Sequence, residues 1–76
     1  MADLLEWLAR QLVDDPDAVR VEEIEGDDAT ILALYVAPED RGKVIGRSGR
    51  IARALRTVVR ASSVRSRRRV VLEIVE

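Results

Sequence analysis

Residues 46–49 read Gly-Arg-Ser-Gly and interrupt an apolar stretch, with Lys43 before them and Arg50 after them. Because glycine has no Cβ, the backbone at these positions can adopt left-handed conformations and can be approached closely by another molecule. The arginine and the serine between the glycines offer a charge and a hydroxyl group, and a helix that starts here leaves its first amide groups unpaired. This combination indicates a site for a phosphate group.

The same glycine spacing is also typical of a plain turn between two helices, and the sequence leaves this alternative open. Nucleotide-binding loops fit less well. The P-loop requires Gly-x-x-x-x-Gly-Lys-Ser/Thr, and the dinucleotide motif requires Gly-x-Gly-x-x-Gly between a strand and a helix. Gly42, Gly46 and Gly49 match neither spacing, so we do not expect a bound mononucleotide.

The 76 residues include no histidine and no cysteine, which removes the usual general base, disulfide bonds and the commonest metal ligands. Most carboxylates occur in short runs beside turn residues, such as residues 14–15 and 27–28, where exposed side chains are usual. We therefore expect no enzyme activity, no metal and no cofactor. A metal-dependent nuclease built on carboxylates is the remaining catalytic alternative, and added magnesium would then produce cleavage.

The net charge of −1 hides an uneven distribution. Residues 1–40 contain twelve acidic and two basic residues, whereas residues 41–76 contain eleven basic and two acidic residues. If the fold keeps the halves apart, the basic half can attract a polyanion. The alternative is that the two halves neutralise each other within the fold, and the total charge does not decide between them.

Hydrophobic periodicity and turn residues predict one α+β domain over residues 1–76. The expected elements, in order, are a helix over 4–13, strands over 19–25 and 29–37, a helix over 39–45, a helix from residue 50, and a strand over 70–76. A hairpin turn at 26–28 makes the first two strands antiparallel, and the return through two helices places the third strand parallel to the second. We expect a three-stranded mixed sheet with helices on one face and a bulge near Glu22-Glu23.

The faces of the helices carry further predictions. Trp7 falls at the margin of the apolar face of the first helix, and we expect it to cover the core rather than to bind a partner. In the helix from Arg50, the predicted core stripe consists of Ile51, Leu55, Val58 and Val59. The side of that helix roughly opposite carries Arg50, Arg53, Arg56 and Arg60.

The middle strand is apolar on both faces, but helices can cover only one of them. One alternating set, either Ile31, Ala33 and Tyr35 or Leu32, Leu34 and Val36, must therefore face outward. Such patches often mark interfaces. A protein-interaction or dimerisation module with incidental nucleic-acid affinity is the alternative function.

Residues 44–51, Val-Ile-Gly-Arg-Ser-Gly-Arg-Ile, lie between two predicted helices after a hairpin, and they resemble the signature of KH domains. The order α-β-β-α-α-β resembles the type II arrangement. Over its whole length, including "VAPEDRGKVIGRSGRIARALRTVV" at 36–59 and "VVLEIVE" at 70–76, the chain is similar to the KhpA (YlqC-like) family of KH-domain RNA-binding proteins.

This resemblance implies a cytoplasmic protein that binds single-stranded RNA and acts as an RNA chaperone or post-transcriptional regulator linked to cell elongation and envelope growth. The implied protein partners are a second copy, giving a homodimer, and the larger KH protein KhpB (Jag). Neither a membrane nor a small-molecule substrate is implied. The implied groove lies between the two helices, the last strand and the loop at 62–69.

The predicted nucleic-acid-binding residues are Lys43, Ile45, Gly46, Arg47, Ser48, Gly49, Arg50, Ile51 and Arg53. Ile45, Ile51 and Leu72 are candidates for an apolar floor under the bases. Because Trp7 and Tyr35 are the only aromatic residues, an aromatic stacking platform is missing and binding should depend on charge, with little sequence selectivity. Arg53, Arg56 and Arg60 either extend the nucleic-acid track or form the solvated side of the helix.

Overall fold

A computed structural model describes residues 2–64 and 68–76 of the chain. Its helices and strands are α1 (Ala2–Leu12), β1 (Arg20–Glu25), β2 (Ala29–Tyr35), α2 (Arg41–Ile45), α3 (Arg50–Ser62) and β3 (Arg69–Ile74). Short 3₁₀ turns occupy Pro16–Ala18, Pro38–Asp40 and Arg47–Gly49. Within the described ranges, no helix has the length and apolar character needed to cross a membrane.

The sheet has the order β1-β2-β3, with β1 antiparallel and β3 parallel to the central strand. Pairing runs from Arg20 opposite Tyr35 to Glu25 opposite Thr30 on one side of β2, and from Ala29 beside Arg69 on the other. The predicted α+β class, element order and mixed sheet are confirmed.

The core lies between one face of the sheet and the three helices. Its largest fully buried side chains are Leu5 of α1, Leu32 and Leu34 of β2, and Val44 of α2. Each helix contributes an apolar stripe to this core, since a helix is stabilised by burying its apolar stripe against another element. The opposite face of the sheet carries no helix among the described residues.

The predicted bulge near Glu22-Glu23 is wrong, because the β1–β2 register is unbroken. The register places Glu23 on the same face as Leu32, yet Glu23 is exposed, and Ile24 on the open face is 42% exposed. The alternation of apolar residues is lost after Val21 because the helices do not cover the second half of β1, which is an edge strand.

Two predictions about helix faces also need correction. Trp7 is 57% exposed and does not close the core. In α3 the buried residues are Ala52, Leu55 and Val59, whereas Val58 is 37% exposed. The core stripe of α3 is therefore rotated relative to the prediction, towards Ala52 and away from Val58.

The open face of the sheet carries the set Ile31, Ala33 and Tyr35, since Leu32 and Leu34 are in the core. Val71 of β3 lies beside Ile31 in register and is 37% exposed. The guanidinium of Arg20 lies 4.3 Å from the centre of the Tyr35 ring, a cation–π contact. The structure thus resolves which of the two alternating sets faces outward.

Candidate nucleic-acid interface

The Gly-Arg-Ser-Gly turn begins where α2 ends. The backbone N–H of Gly46 donates to the carbonyl of Gly42 at 2.8 Å, and the chain then leaves the helix at φ 75° and ψ 172°. Ser48 (φ 57°, ψ 25°) and Gly49 (φ 73°, ψ 17°) both adopt left-handed conformations before α3 starts. Three positive φ values within four residues reverse the chain at the start of a thirteen-residue helix, and Arg47 and Ser48 are exposed there while both glycines are half-buried.

The two glycines of the turn are needed for different reasons. A Cβ on Gly46 would lie 2.7 Å from Cγ1 and 3.0 Å from Cβ of Ile51, so both sterics and conformation require glycine there. A Cβ on Gly49 would have no atom of the described residues within 4 Å, and only its φ favours glycine. Gly49 thus leaves open space beside the turn, where another molecule can approach.

Arg53 holds the turn from the first part of α3. Its Nη2 group donates a hydrogen bond of 3.0 Å to the carbonyl oxygen of Ser48. Arg47 and Arg50, on either side of this contact, are exposed and make no ion pair or side-chain hydrogen bond within the described ranges. Both guanidinium groups therefore have no partner among the described residues, but Arg50 also lines an apolar hollow between α1 and α3.

A cleft of about 410 Å³ opens beside the turn between α3 and β3. Ile45 and Gly49 form its end near the turn, and Ala52 and Arg56 contribute its α3 wall. Its β3 wall and mouth consist of Val71, Leu72, Glu73, Ile74 and Glu76. The floor is apolar and both walls carry charge, which suits a ligand with flat apolar faces and polar edges.

A second cleft of about 370 Å³ continues in the same direction between α3 and β3. It shares Arg56, Val71 and Leu72 with the first cleft and adds Arg60 and Arg69. The two clefts share three residues and form one groove that starts at the glycine turn and passes the exposed guanidinium groups of Arg56, Arg60 and Arg69. The predicted contribution of the loop at 62–69 lies partly outside the described residues, at 65–67.

Among the predicted binding residues, Lys43 contacts carboxylates of the protein and does not lie beside the groove. Its ammonium contacts Asp14 at 2.9 Å and Asp40 at 3.4 Å. Hydrogen bonds to these two carboxylates raise the pKa of Lys43 above its ordinary value of 10.5. Lys43 therefore joins α2 to the segment after α1 and does not line the groove.

Asp40, one of the two carboxylates that contact Lys43, is buried. It is 2% exposed, and its Oδ2 accepts a hydrogen bond of 3.0 Å from the backbone N–H of Asp15. Burial raises the pKa of the Asp40 carboxyl, but the backbone N–H groups of Asp15 and Asp14 and the ammonium of Lys43 outweigh burial and lower the pKa below 3.8. Asp40 thus differs from the exposed carboxylates that the sequence led us to expect.

The structure places Ile45 and Leu72 in the groove, but it places Ile51 elsewhere. Ile51 packs against the core and lines an apolar hollow of about 560 Å³ between α1 and α3, together with Trp7, Leu8 and Val58. Ile51 contacts the turn at Gly46, on the side of the turn that faces the core. Ile51 therefore supports the turn rather than forming the floor.

Sequence reasoning omitted several groove residues. Arg56 and Arg60 were noted on the helix but left outside the predicted site, and Arg69, Val71, Glu73 and Glu76 were not selected. No local signal in the sequence marks these residues as a set, because successive β3 side chains alternate between the two sheet faces and only the packing of α3 beside β3 brings the residues to one groove.

The two oppositely charged halves of the chain neutralise each other only in part. Lys43 pairs with Asp14, and Arg68 pairs with Glu25 at 3.5 Å and donates hydrogen bonds to the backbone carbonyls of the β1–β2 turn, among them Ala29 at 3.0 Å. The exposed arginines of the turn and groove have no acidic partner within residues 2–64 and 68–76. No group of three or more potential metal ligands occurs in those ranges either.

The element order, the mixed sheet and a glycine turn at the mouth of an α3–β3 groove together define a KH domain of the type II order. A family model described as "KhpA/KhpB, KH domain" matches residues 2–74, and the chain belongs to this family.

Relatives of similar length match along their whole sequences. A Clostridium acetobutylicum protein named RNA-binding protein KhpA is 56% identical over 75 residues, which cover 99% of this chain and 100% of that protein. Proteins of the same name from Aquifex aeolicus and Chlamydia pneumoniae are 51% and 41% identical over 76 residues, covering 100% of this chain and 96% and 97% of theirs.

Proposed function

We propose that the chain, as one KH domain over residues 1–76, binds single-stranded RNA in the groove between the glycine turn, α3 and β3. The observation that carries the proposal is the continuity of the groove, which runs from the glycine turn at residues 46–49 past the guanidiniums of Arg56 and Arg60, neither of which has a partner among the described residues. A polyanion with flat bases fits this combination of cations and apolar floor. The relatives named RNA-binding protein KhpA support RNA as the polyanion.

The proposed roles divide along the groove. The phosphates contact the backbone of residues 46–49 and the guanidiniums of Arg47 and Arg50, and the dipole of α3 favours their charge. Bases then lie over Ile45 and Leu72. Arg53 acts on the turn through the Ser48 carbonyl, whereas Lys43 and Ile51 serve the fold around it.

The test is fluorescence anisotropy with labelled single-stranded and duplex RNA over a salt series. Arg47→Asp combined with Ser48→Asp places two acids in the turn and keeps both glycines, and aspartate tolerates the left-handed φ of Ser48. We expect at least a tenfold loss of single-strand affinity and a shallower salt dependence, because each lost phosphate contact reduces the slope.

A matched control is Arg10→Glu combined with Gln11→Glu on α1, which changes the net charge by the same amount away from the groove. Both positions are exposed. Circular dichroism checks that each variant is folded. Equal losses in both variants, or no loss in the folded turn variant, would contradict the proposed site.

We further propose the cellular role that the family resemblance implies: an RNA chaperone or post-transcriptional regulator in the cytoplasm, linked to cell elongation and envelope growth. A KhpB partner is proposed on the same ground, the family resemblance alone. Catalysis is not part of the proposal, and labelled RNA incubated with magnesium should remain intact.

Self-association is a second candidate, favoured by two exposed apolar areas. One is the open sheet face, where Ile24 and Val71 are exposed beside the half-buried Ile31 and Tyr35, and the other is the hollow beside Trp7 and Val58. A homodimer would present two weak grooves and gain avidity for RNA. Light scattering over a concentration series, with Tyr35→Asp and Trp7→Asp as separate variants, identifies which area is used, and a monomeric mass for the unmodified chain would reject both.

A further inference from the structure

The apolar hollow between α1 and α3 lies apart from the proposed RNA groove, on the other side of α3. Helix α1 packs on β1 and α3 packs on β3, so the hollow opens between the two helices on the helix side of the sheet. Its floor belongs to the core and includes Leu8, Leu12 and Leu55, whereas Trp7 is 57% and Val58 37% exposed at its rim. An apolar ligand would remove both large side chains from water.

The space between the two helices is narrow. Only β2 separates β1 from β3, so the two outer strands lie about 10 Å apart. Helices over these strands are already at the separation of packed helices, about 8–10 Å, and a third helix cannot be seated between them. Along α3 the lining runs from Arg50 to Val58, about 12 Å in an α-helix. A slender molecule fits the hollow, whose volume of about 560 Å³ is in the range of small-molecule sites.

The hollow carries a single charge. Among the described residues that line it, Arg50 alone is charged, and its guanidinium makes no ion pair or side-chain hydrogen bond in the described ranges. The side-chain amide of Gln11, the other polar group in the lining, donates to the carbonyl of Trp7 at 3.3 Å. Since Arg50 lies at one end of the lined part of α3, the hollow has an apolar body and a cationic end. Guanidinium groups bind carboxylates and phosphates through paired hydrogen bonds.

We propose that this hollow binds an elongated apolar molecule with one anionic head, an alkyl or acyl chain that ends in a carboxylate or a phosphate. The chain lies between Trp7 and Val58 over the leucines of the floor, and the head pairs with Arg50. Such a ligand combines the burial of apolar surface with charge-assisted hydrogen bonds. This site goes beyond the binding of RNA, and it leaves the open sheet face for self-association.

Trp7 is the only tryptophan of the chain, so its fluorescence reports directly on the hollow. Decanoate and decyl phosphate, each kept below its micelle concentration, are titrated into the unmodified chain without RNA, and their comparison identifies the preferred head. We expect a saturable change in emission, with half-saturation below about 1 mM for a ligand of this size. Decyltrimethylammonium, which has the same chain and a cationic head, should bind about fivefold or more weakly. Acetate, which has the head without the chain, should cause no change.

Arg50→Gln tests the residue assignment, since glutamine stays polar but carries no charge. We expect decanoate to bind about threefold or more weakly and its advantage over decyltrimethylammonium to fall below about twofold. The matched control is Arg10→Gln, which removes the same charge from an exposed position of α1 outside the lining, and decanoate affinity should persist there.

Ala54→Glu tests the hollow itself. Position 54 is an exposed helix position in the lining, so the variant should fold, and circular dichroism checks this. The new carboxylate repels the anionic head and its side chain occupies the hollow, and decanoate should no longer bind.

The outcomes are distinct. Unchanged Trp7 emission below the micelle concentrations, or a change that acetate reproduces, would overturn the site. Equal affinity for the anionic and the cationic amphiphiles, or decanoate binding that survives in Arg50→Gln or in folded Ala54→Glu, would overturn the assignment of the head to Arg50 in this hollow. Trp7 emission that shifts on dilution of the ligand-free chain, with a dimeric mass by light scattering that decanoate does not change, would instead place a second copy there and reject the proposal. Because the titrations contain no RNA, a failure of the proposed RNA binding is seen separately.

Discussion

Among the residues that the structure describes, two groups of cations differ in what they contact. Lys43 and Arg68 bind carboxylates or backbone carbonyls, and Arg20 packs on the Tyr35 ring. By contrast, Arg56 and Arg60 line the groove without any partner in the described part of the chain. A count of basic residues treats both groups alike, but only the second has its charge available for a ligand.

The excess of basic residues in the second half of the sequence therefore has two roles, one in stability and one in ligand binding. The first group joins elements that are distant in sequence, and the second forms a line beside the glycine turn. Changes in the first group should alter stability and leave RNA affinity nearly unchanged, whereas changes in the second should do the opposite.

The largest expected effect is on stability, and it distinguishes the two glycines of the turn. Gly46→Ala should lower the free energy of unfolding by about 3 kcal/mol, because a Cβ collides with Ile51 at a backbone conformation that only glycine adopts readily. Gly49→Ala should cost only about 1 kcal/mol, since its Cβ enters open space at a left-handed φ. Urea unfolding measures both, and equal costs would contradict the different roles of the two glycines.

Charge reversal in the unpaired group gives the next effect. Arg56→Glu with Arg60→Glu should weaken single-stranded RNA binding about ten- to a hundredfold without a change in the urea midpoint. The matched control, Arg10→Glu with Arg20→Glu, makes the same change in net charge away from the groove. Anisotropy should show less than about a threefold loss in the control, and similar losses in both variants would remove the distinction between the two groups.

Arg68 tests the group of cations that have partners within the protein. Its guanidinium donates to the backbone carbonyls of Gly26 and Ala29 and contacts Glu25. Arg68→Ala should therefore lower the free energy of unfolding by about 1 kcal/mol while RNA affinity stays within about twofold. Urea unfolding and anisotropy on the same sample check both statements, and a large affinity loss at unchanged stability would move Arg68 into the ligand-binding group.

Asp40 gives a pH-dependent effect. Because its folded pKa lies below the ordinary value of 3.8, its contribution to stability is complete above that value and is lost as the pH falls through the folded pKa. Asp40→Asn should be less stable than the unmodified chain at neutral pH, and the gap should narrow below about pH 4. Thermal unfolding across this range measures the gap, and a gap that does not depend on pH would exclude the carboxylate as its cause.

The smallest expected effect concerns Lys43. Its ammonium is held by Asp14 and Asp40, so Lys43→Gln should change RNA affinity less than about twofold. Arg47→Gln, at the exposed turn, should reduce the affinity severalfold and make the salt dependence shallower by about 0.7 in slope. If the two variants lose affinity equally, Lys43 reaches the ligand when RNA binds.

The order of elements and the glycine turn were predictable because their signals are local. Pro38 begins a helix, Gly46 ends one, and alternating apolar residues mark the strands. The partner of each cation was not predictable, since the contact of Asp40 with Asp15 spans 25 residues and that of Arg68 with Gly26 spans 42. Such contacts depend on the packed fold.

In the candidate site, too, contacts between residues distant in sequence could not be predicted. Residues 46–50 were selected from spacing, and the structure places them together. Arg56 and Leu72 line the same cleft only because α3 packs beside β3. Ile51 had the right composition for the floor but lies on the inner side of the turn, because helix periodicity gives an angular face without fixing which neighbour that face meets.

The parallel pairing of β2 with β3 has a consequence for the order of folding. The β1–β2 hairpin closes through a short turn, whereas β3 joins the sheet only after α2 and α3 have been traversed, with Ala29 beside Arg69. Long loops make such pairing slow. Since β3 forms one wall of the groove, the capacity to bind RNA should arise in one late kinetic step, after most of the secondary structure has formed.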